Sequence, residues 1–128
     1  MNVVDSSAWL SYFAGDSNAR LFAKPIEALD QLLVPSITIT EVFKSVLRQR
    51  NEESVLEVIA HIEQGRVIVL DGELAINAAV FGVELKLPLA DSIIYATARK
   101  YDALVWTQDA DFKRLESVKF YPKAKATL

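Results

Sequence analysis

PLADSIIYATARKYDALVWTQDAD, residues 88–111, decides the architecture. Its first half is an apolar run with one carboxylate, Asp91, near the start. It reads as a helix over 88–101, and Pro88 suits a first helical position. ALVWT (103–107) follows as a short apolar strand, and Asp109 and Asp111 come directly after it. A helix that feeds an apolar strand ending in acids is a unit of an α/β fold. In such folds sites gather at the carboxyl ends of the strands.

The same alternation runs outward from this stretch. NVVD (2–5) reads as a buried strand and residues 6–14 as a helix, with Ser6 or Ser7 as its cap. A second short helix follows Asn18, with Pro25 near a boundary. Leu33-Val34 is a brief strand stopped by Pro35, and ITITEVFKSVLRQR (37–50) becomes helical by about Thr40. Residues 52–64 form another helix ended by Gly65, RVIVL (66–70) is a buried strand, and 73–86 is helical. A short helix around 109–115 leads to VKFY (118–121), whose flanking charges and Pro122 suit a sheet edge. Five short apolar strands separated by helices predict a three-layer α/β/α sandwich around a central, mainly parallel five-stranded sheet. No repeat, low-complexity segment or linker interrupts the 128 residues, so one domain over 1–128 is expected.

Composition narrows the chemistry. Hydrophobic residues make up 52% and charged residues 24%, a soluble globular balance. There is no uncharged apolar run of about 18 residues and no signal-peptide pattern, so no membrane span and a cytoplasmic setting are expected. The absence of cysteine excludes disulfides, thiol catalysis and Cys-type zinc sites. His61 is the only histidine and reads as a helix-surface residue, which excludes a two-histidine hydrolase within one chain. Any chemistry must rest on carboxylates, hydroxyls and amines. The net charge of −3 gives no general attraction for nucleic acid. From Lys113 onward, Lys113, Arg114, Lys119, Lys123 and Lys125 stand against one acid, Glu116; this reads equally as a positive patch or a solvated surface.

Four acids sit at places that invite a function. Asp5 follows Val3-Val4, and Asp109 follows ALVWT, so both fall on the same rim of the sheet. An Asp between strand and helix is ordinarily a cap, so each alone stays open between cap and site. Glu41 shares a helical face with Lys44, Ser45 and Arg48 and is open between a surface pair and a site. At about 100° per residue, Asp91 falls beside Ile94, Tyr95 and Ala98, an apolar stripe. A helix starting at Pro88 leaves Asp91 too far inside to cap; a later start makes it an ordinary cap. Carboxylates gathered in a cleft repel and raise one another's pKa, and a divalent cation removes that penalty. Mg²⁺ or Mn²⁺ prefers such hard oxygen donors and can activate water toward phosphorus.

VVDSSAWL (3–10), TEVFKSVLR (40–48), LPLADSIIYATA (87–98) and LVWTQDADF (104–112) together resemble PIN-domain ribonucleases, most closely the VapC-type toxins of type II toxin–antitoxin pairs. The resemblance covers nearly the whole chain, with the segments in the family's order. It implies a PIN-like fold and a Mg²⁺- or Mn²⁺-dependent endoribonuclease using one or two ions. Asp5, Glu41 and Asp91 match the first three acidic positions; Asp109 best fits the fourth, with Asp111 as a supplement. Thr107 matches the motif's hydroxyl, and Ser6 and Ser7 match small polar residues that hydrogen-bond around the site. An RNA substrate, a homodimer and a cognate antitoxin that inserts a segment are also implied. Lys44 and Arg48, one and two turns after Glu41, are candidates for the RNA backbone. Two other readings stay open. One is a phosphorylatable receiver-like domain built on Asp5, Asp71, Thr107 and Lys123. The other is a non-catalytic RNA- or partner-binding module. In it Trp9, Tyr12, Phe13, Phe22 and Phe43 either line a groove for an antitoxin helix or simply form core.

Overall fold

The computed structural model describes residues 1–49 and 52–123. Arg50, at the end of the expected 37–50 helix, and Lys125, in the basic C-terminal run, lie outside the described residues. The elements are β1 (Asn2–Val4), α1 (Ser6–Ala14), α2 (Ala19–Glu27), β2 (Leu32–Pro35), α3 (Ser36–Arg48), α4 (Glu52–Ile62), β3 (Arg66–Ile68), α5 (Gly72–Glu84), α6 (Leu89–Lys100), β4 (Leu104–Thr107) and β5 (Val118–Phe120). The strands form one five-stranded sheet in the order β3-β2-β1-β4-β5, and every pair is parallel.

Period-two alternation builds a core on each side of this sheet. Val3, Leu33 and Val105 pack on one face with Leu74 and Ala78 of α5 and Ile94 and Ala98 of α6. Val4, Leu32, Val34 and Trp106 pack on the other with Trp9, Phe22, Val42 and Val58 from α1 to α4. The expected α/β/α layers are therefore present.

Several boundaries differ from expectation. RVIVL is not a buried strand: β3 stops at Ile68, lies at an edge, and leaves Val69 71% exposed. An apolar run reports strand type, not how many neighbours the strand will have. Pro35 does not stop β2 but is its last residue, paired with Ile68. It is also the N-cap of α3, which starts at Ser36 instead of near Thr40. Burial of Thr38 and Val42 against the sheet overrides the strand preference of ITIT. Pro25 lies in the last turn of α2, near its boundary as expected, whereas the helix expected over 109–115 is a single 3₁₀ turn, Ala110–Phe112. Asp5, not Ser6 or Ser7, caps α1.

The order reverses between β1 and β4, which is where an open α/β sheet forms a crevice. Val4 pairs with Trp106, so the residues that leave these two strands, Asp5 and Thr107, emerge side by side.

Candidate functional site

Asp5 is both cap and candidate ligand. Its Oδ1 accepts from the Ala8 amide at 3.1 Å and from Ser7 Oγ at 2.8 Å, while Ser7 also reaches Oδ2 at 3.1 Å. The Thr107 hydroxyl stands close enough to the same carboxylate to favour its charged form. Burial nevertheless outweighs these bonds and pushes the Asp5 carboxyl up to about 6. Thr107 Oγ1 also accepts from the Asp109 amide at 2.9 Å, tying the end of β4 to the acid beyond it.

Asp91 is the third residue of α6, whose N-cap is Pro88. It is therefore no cap. The helix is buried continuously from Asp91 to Ala98, which holds the carboxylate 9% exposed at the rim. Burial is the largest influence on it, followed by the charges of Asp109, Asp5, Asp111 and Glu41; together they raise it to about 7. Every charge acting on Asp91 is another carboxylate. Oxygens of Asp91, Asp109 and Asp111 lie within 4.8 Å of one another. Asp109 is half-buried and accepts from the Asp111 amide at 2.9 Å, whereas Asp111 is exposed. Glu41 makes no ion pair with Lys44 among the described residues; it accepts from Ser6 Oγ at 2.5 Å. The crevice thus joins Asp5, Glu41, Asp91, Asp109 and Asp111, with Ser6, Ser7 and Thr107 bonded to them.

This donor set fits a hard divalent cation. It offers only carboxylate and hydroxyl oxygens, its closest acids span a distance that one ion can bridge, and it contains mutual repulsion that a cation would relieve. Nitrogen and sulfur donors, which zinc favours, are missing from the cluster.

Other candidates lie elsewhere. Lys44 and Arg48 are exposed along α3, where they border a shallow groove with Thr40, Phe43 and Leu47. Neither contributes to the charges felt by Asp5 or Asp91. Trp9 and Phe22 are core and Tyr12 packs half-buried against it, whereas Phe43 lines this groove and Phe13, also half-buried, lines a separate cavity between α1, α3 and α4. His61 is half-buried rather than on the helix surface: it contacts Tyr12 and Phe13 across α1 and α4. Asp71 caps α5 and pairs with Lys100 at 3.9 Å, outside the acidic crevice. The order β3-β2-β1-β4-β5 also differs from the flavodoxin-like order of receiver domains, which overturns that reading.

Sequence reasoning missed Asn18 and Gln108. Asn18 Nδ2 donates to Gln108 Oε1 at 3.1 Å and to the Pro122 carbonyl at 3.0 Å, and Gln108 Nε2 donates to the Ser7 carbonyl at 3.4 Å. Gln108 lies inside the TQDADF motif, a signal that was available; Asn18 reaches it only through the fold. Among the described residues, no helix is long and apolar enough to cross a membrane.

A family model described as PIN domain matches residues 3–118. No curated protein matches the chain in sequence. Among solved structures, the chain is similar to one described as a toxin–antitoxin complex from Klebsiella pneumoniae, with a TM-score of 0.79 and 22% identity over 96% of this chain and 100% of that one. It is also similar to Mycobacterium tuberculosis VapC20, described as a sarcin–ricin loop cleaving toxin, at TM-score 0.77 and 21% identity over 95% and 100%. FitAcB from Neisseria gonorrhoeae matches at TM-score 0.65 and 25% identity over 95% and 98%.

Proposed function

The chain belongs to the PIN-domain family, and from that premise we propose that it is a metal-dependent endoribonuclease acting as the toxin of a toxin–antitoxin pair. One observation carries the reading: acids from four separate segments converge at the sheet's switch point with no cation among the charges on Asp91. The similar structures described as toxins or toxin–antitoxin complexes support the toxin assignment.

Asp5 and Asp91 hold the principal Mg²⁺ or Mn²⁺, with Asp109 beside them and Asp111 as a supplement. Glu41, steadied by Ser6, binds a second ion or orients the attacking water. When bound, the cation offsets charge on the phosphate and lowers the pKa of water. Ser7 and Thr107 fix the Asp5 carboxylate so that little rearrangement accompanies the reaction. Water adds to phosphorus in line, the 3′ oxygen departs, and a 5′ phosphate remains. Lys44 and Arg48 meet the RNA backbone farther along α3. The reaction takes place in the cytoplasm, where its RNA substrate is found.

The reading also includes two protein partners. A second copy covers the outer face of α5, where Ile76, Val80 and Val83 recur at helical spacing and are 68%, 48% and 81% exposed. A cognate antitoxin lays a segment along the apolar floor formed by Phe43 and Leu47.

A chelator is expected to abolish cleavage of single-stranded RNA, with Mg²⁺ or Mn²⁺ restoring it. Asp5→Asn should fold normally and be inactive. Cleavage that continues under excess chelator sinks the scheme. RNA binding without cleavage at saturating Mn²⁺ identifies a binding module instead.

A further inference from the structure

We propose that the cavity behind Gln108 is a nucleobase pocket, which takes one unstacked base of single-stranded RNA next to the phosphate being cut; the inference rests on the ribonuclease reading above. The cavity measures about 500 Å³ and lies between α1, α3 and α4, a volume within the usual range for small-ligand sites. Gln108 and Lys123 also line the cleft that contains Asp109 and Ser7, so the cavity adjoins the acidic crevice.

Its walls have the two properties that base recognition needs. Phe13, Val46 and Val58 supply apolar surface. Asn18 and Gln108, each 9% exposed, supply polar groups in fixed orientations. Asn18 donates both amide hydrogens, to Gln108 and to Pro122, which fixes the orientation of its side-chain amide. Among the described residues Asn18 Oδ1 has no hydrogen-bond partner, and Gln108 Nε2 keeps one hydrogen after bonding to Ser7. Ser45 Oγ on α3 likewise has no partner among the described residues. An oriented acceptor, an oriented donor and a rotatable hydroxyl in an apolar setting complement the edge of a base. A helix from a protein partner gains little from buried, pre-aligned amides, because its own backbone groups are already bonded within it. Lys123 at the shared mouth is placed to meet a phosphate between the two cavities.

The test uses the ¹⁵N-labelled chain in chelator, titrated with each of the four ribonucleoside 5′-monophosphates. At least one should move the side-chain amide signals of Asn18 and Gln108 and saturate in the millimolar range. Ser45→Phe, which fills the cavity, and Ser17→Trp, at its exposed rim, should remove that response. The same variants with Mn²⁺ should lose at least tenfold in kcat/KM on a mixed-sequence single-stranded RNA, through KM and not kcat. Four nucleotides that leave both amides unmoved overturn the proposal and point to a protein occupant. So do variants that keep the response or the wild-type KM. Failure of the ribonuclease reading looks different: the wild type cuts nothing, yet the nucleotides still move the two amides.

Discussion

Asp91 and Asp5 hold the sharpest conflict in the molecule. Unfolded, each would titrate at about 3.9; folded and metal-free, they rise to about 7 and about 6, chiefly through burial. Between those limits the folded chain keeps protons that the unfolded chain has released. Stability in chelator should therefore fall as pH rises from about 4 to about 7 and level off above it. Urea unfolding at pH 5 and pH 8 measures this, and Mg²⁺ should reverse the loss at pH 8. Asp91→Asn should be more stable than the wild type at pH 8 in chelator, although inactive. A wild type that gains stability toward pH 8 without metal contradicts the electrostatic account. Ser7 offers a finer probe, because its hydroxyl bonds the charged form of Asp5. Ser7→Ala should raise the Asp5 carboxyl further and reduce kcat by about 10–100-fold, as loss of a ligand's supporting bond commonly does. The acidic limb of the pH–rate profile should shift to higher pH; an unmoved limb removes Ser7 from this role.

At the level of elements, what was legible followed from chemistry within each segment. PLADSIIYATA declares a buried helix, and Asp5 and Asp109 declare the rim because they end strands. Neighbourhood was not legible. RVIVL and ALVWT look alike, yet one is an edge and the other pairs on both sides. ITIT delays the expected helix start to about Thr40, because the burial that makes it helical from Ser36 is a tertiary gain. Asn18 and Gln108 meet only once α1, β4 and the chain after β5 are assembled. Gly65 shows the same limit. It reads as a helix end, but the fold uses its missing side chain for close approach: a Cβ there would lie 2.9 Å from Val34 Cγ2 and 3.0 Å from Leu32 Cδ2. Both neighbours are buried in the α1–α4 core. Gly65→Ala should therefore cost about 1–3 kcal/mol, the range for overpacking, with cleavage by the folded fraction unchanged. A neutral effect in urea unfolding would mean that the two side chains move aside freely.

For the whole molecule, the proposed dimer and the acidic crevice make separable demands. The acids that act on Asp91 are carried by the end of β1, by α3 and by the segment after β4. The exposed stripe on α5 belongs to the helical layer formed with α6, and no α5 residue enters the crevice. A second copy would meet this stripe about a twofold axis, so one substitution changes the interface twice. Val80→Lys removes about 1.5 kcal/mol of apolar burial from each side and brings two like charges together. The combined loss of at least about 3 kcal/mol corresponds to a Kd weakened by about 100-fold or more. Light scattering at micromolar concentration should then report monomers, with the circular dichroism of the wild type retained because Val80 is half exposed already. Metal-dependent cleavage should survive in those monomers, since the proposed acids already converge within one chain. A variant that stays dimeric moves the interface off α5. A monomer that folds but no longer cuts RNA shows instead that the second copy completes the site.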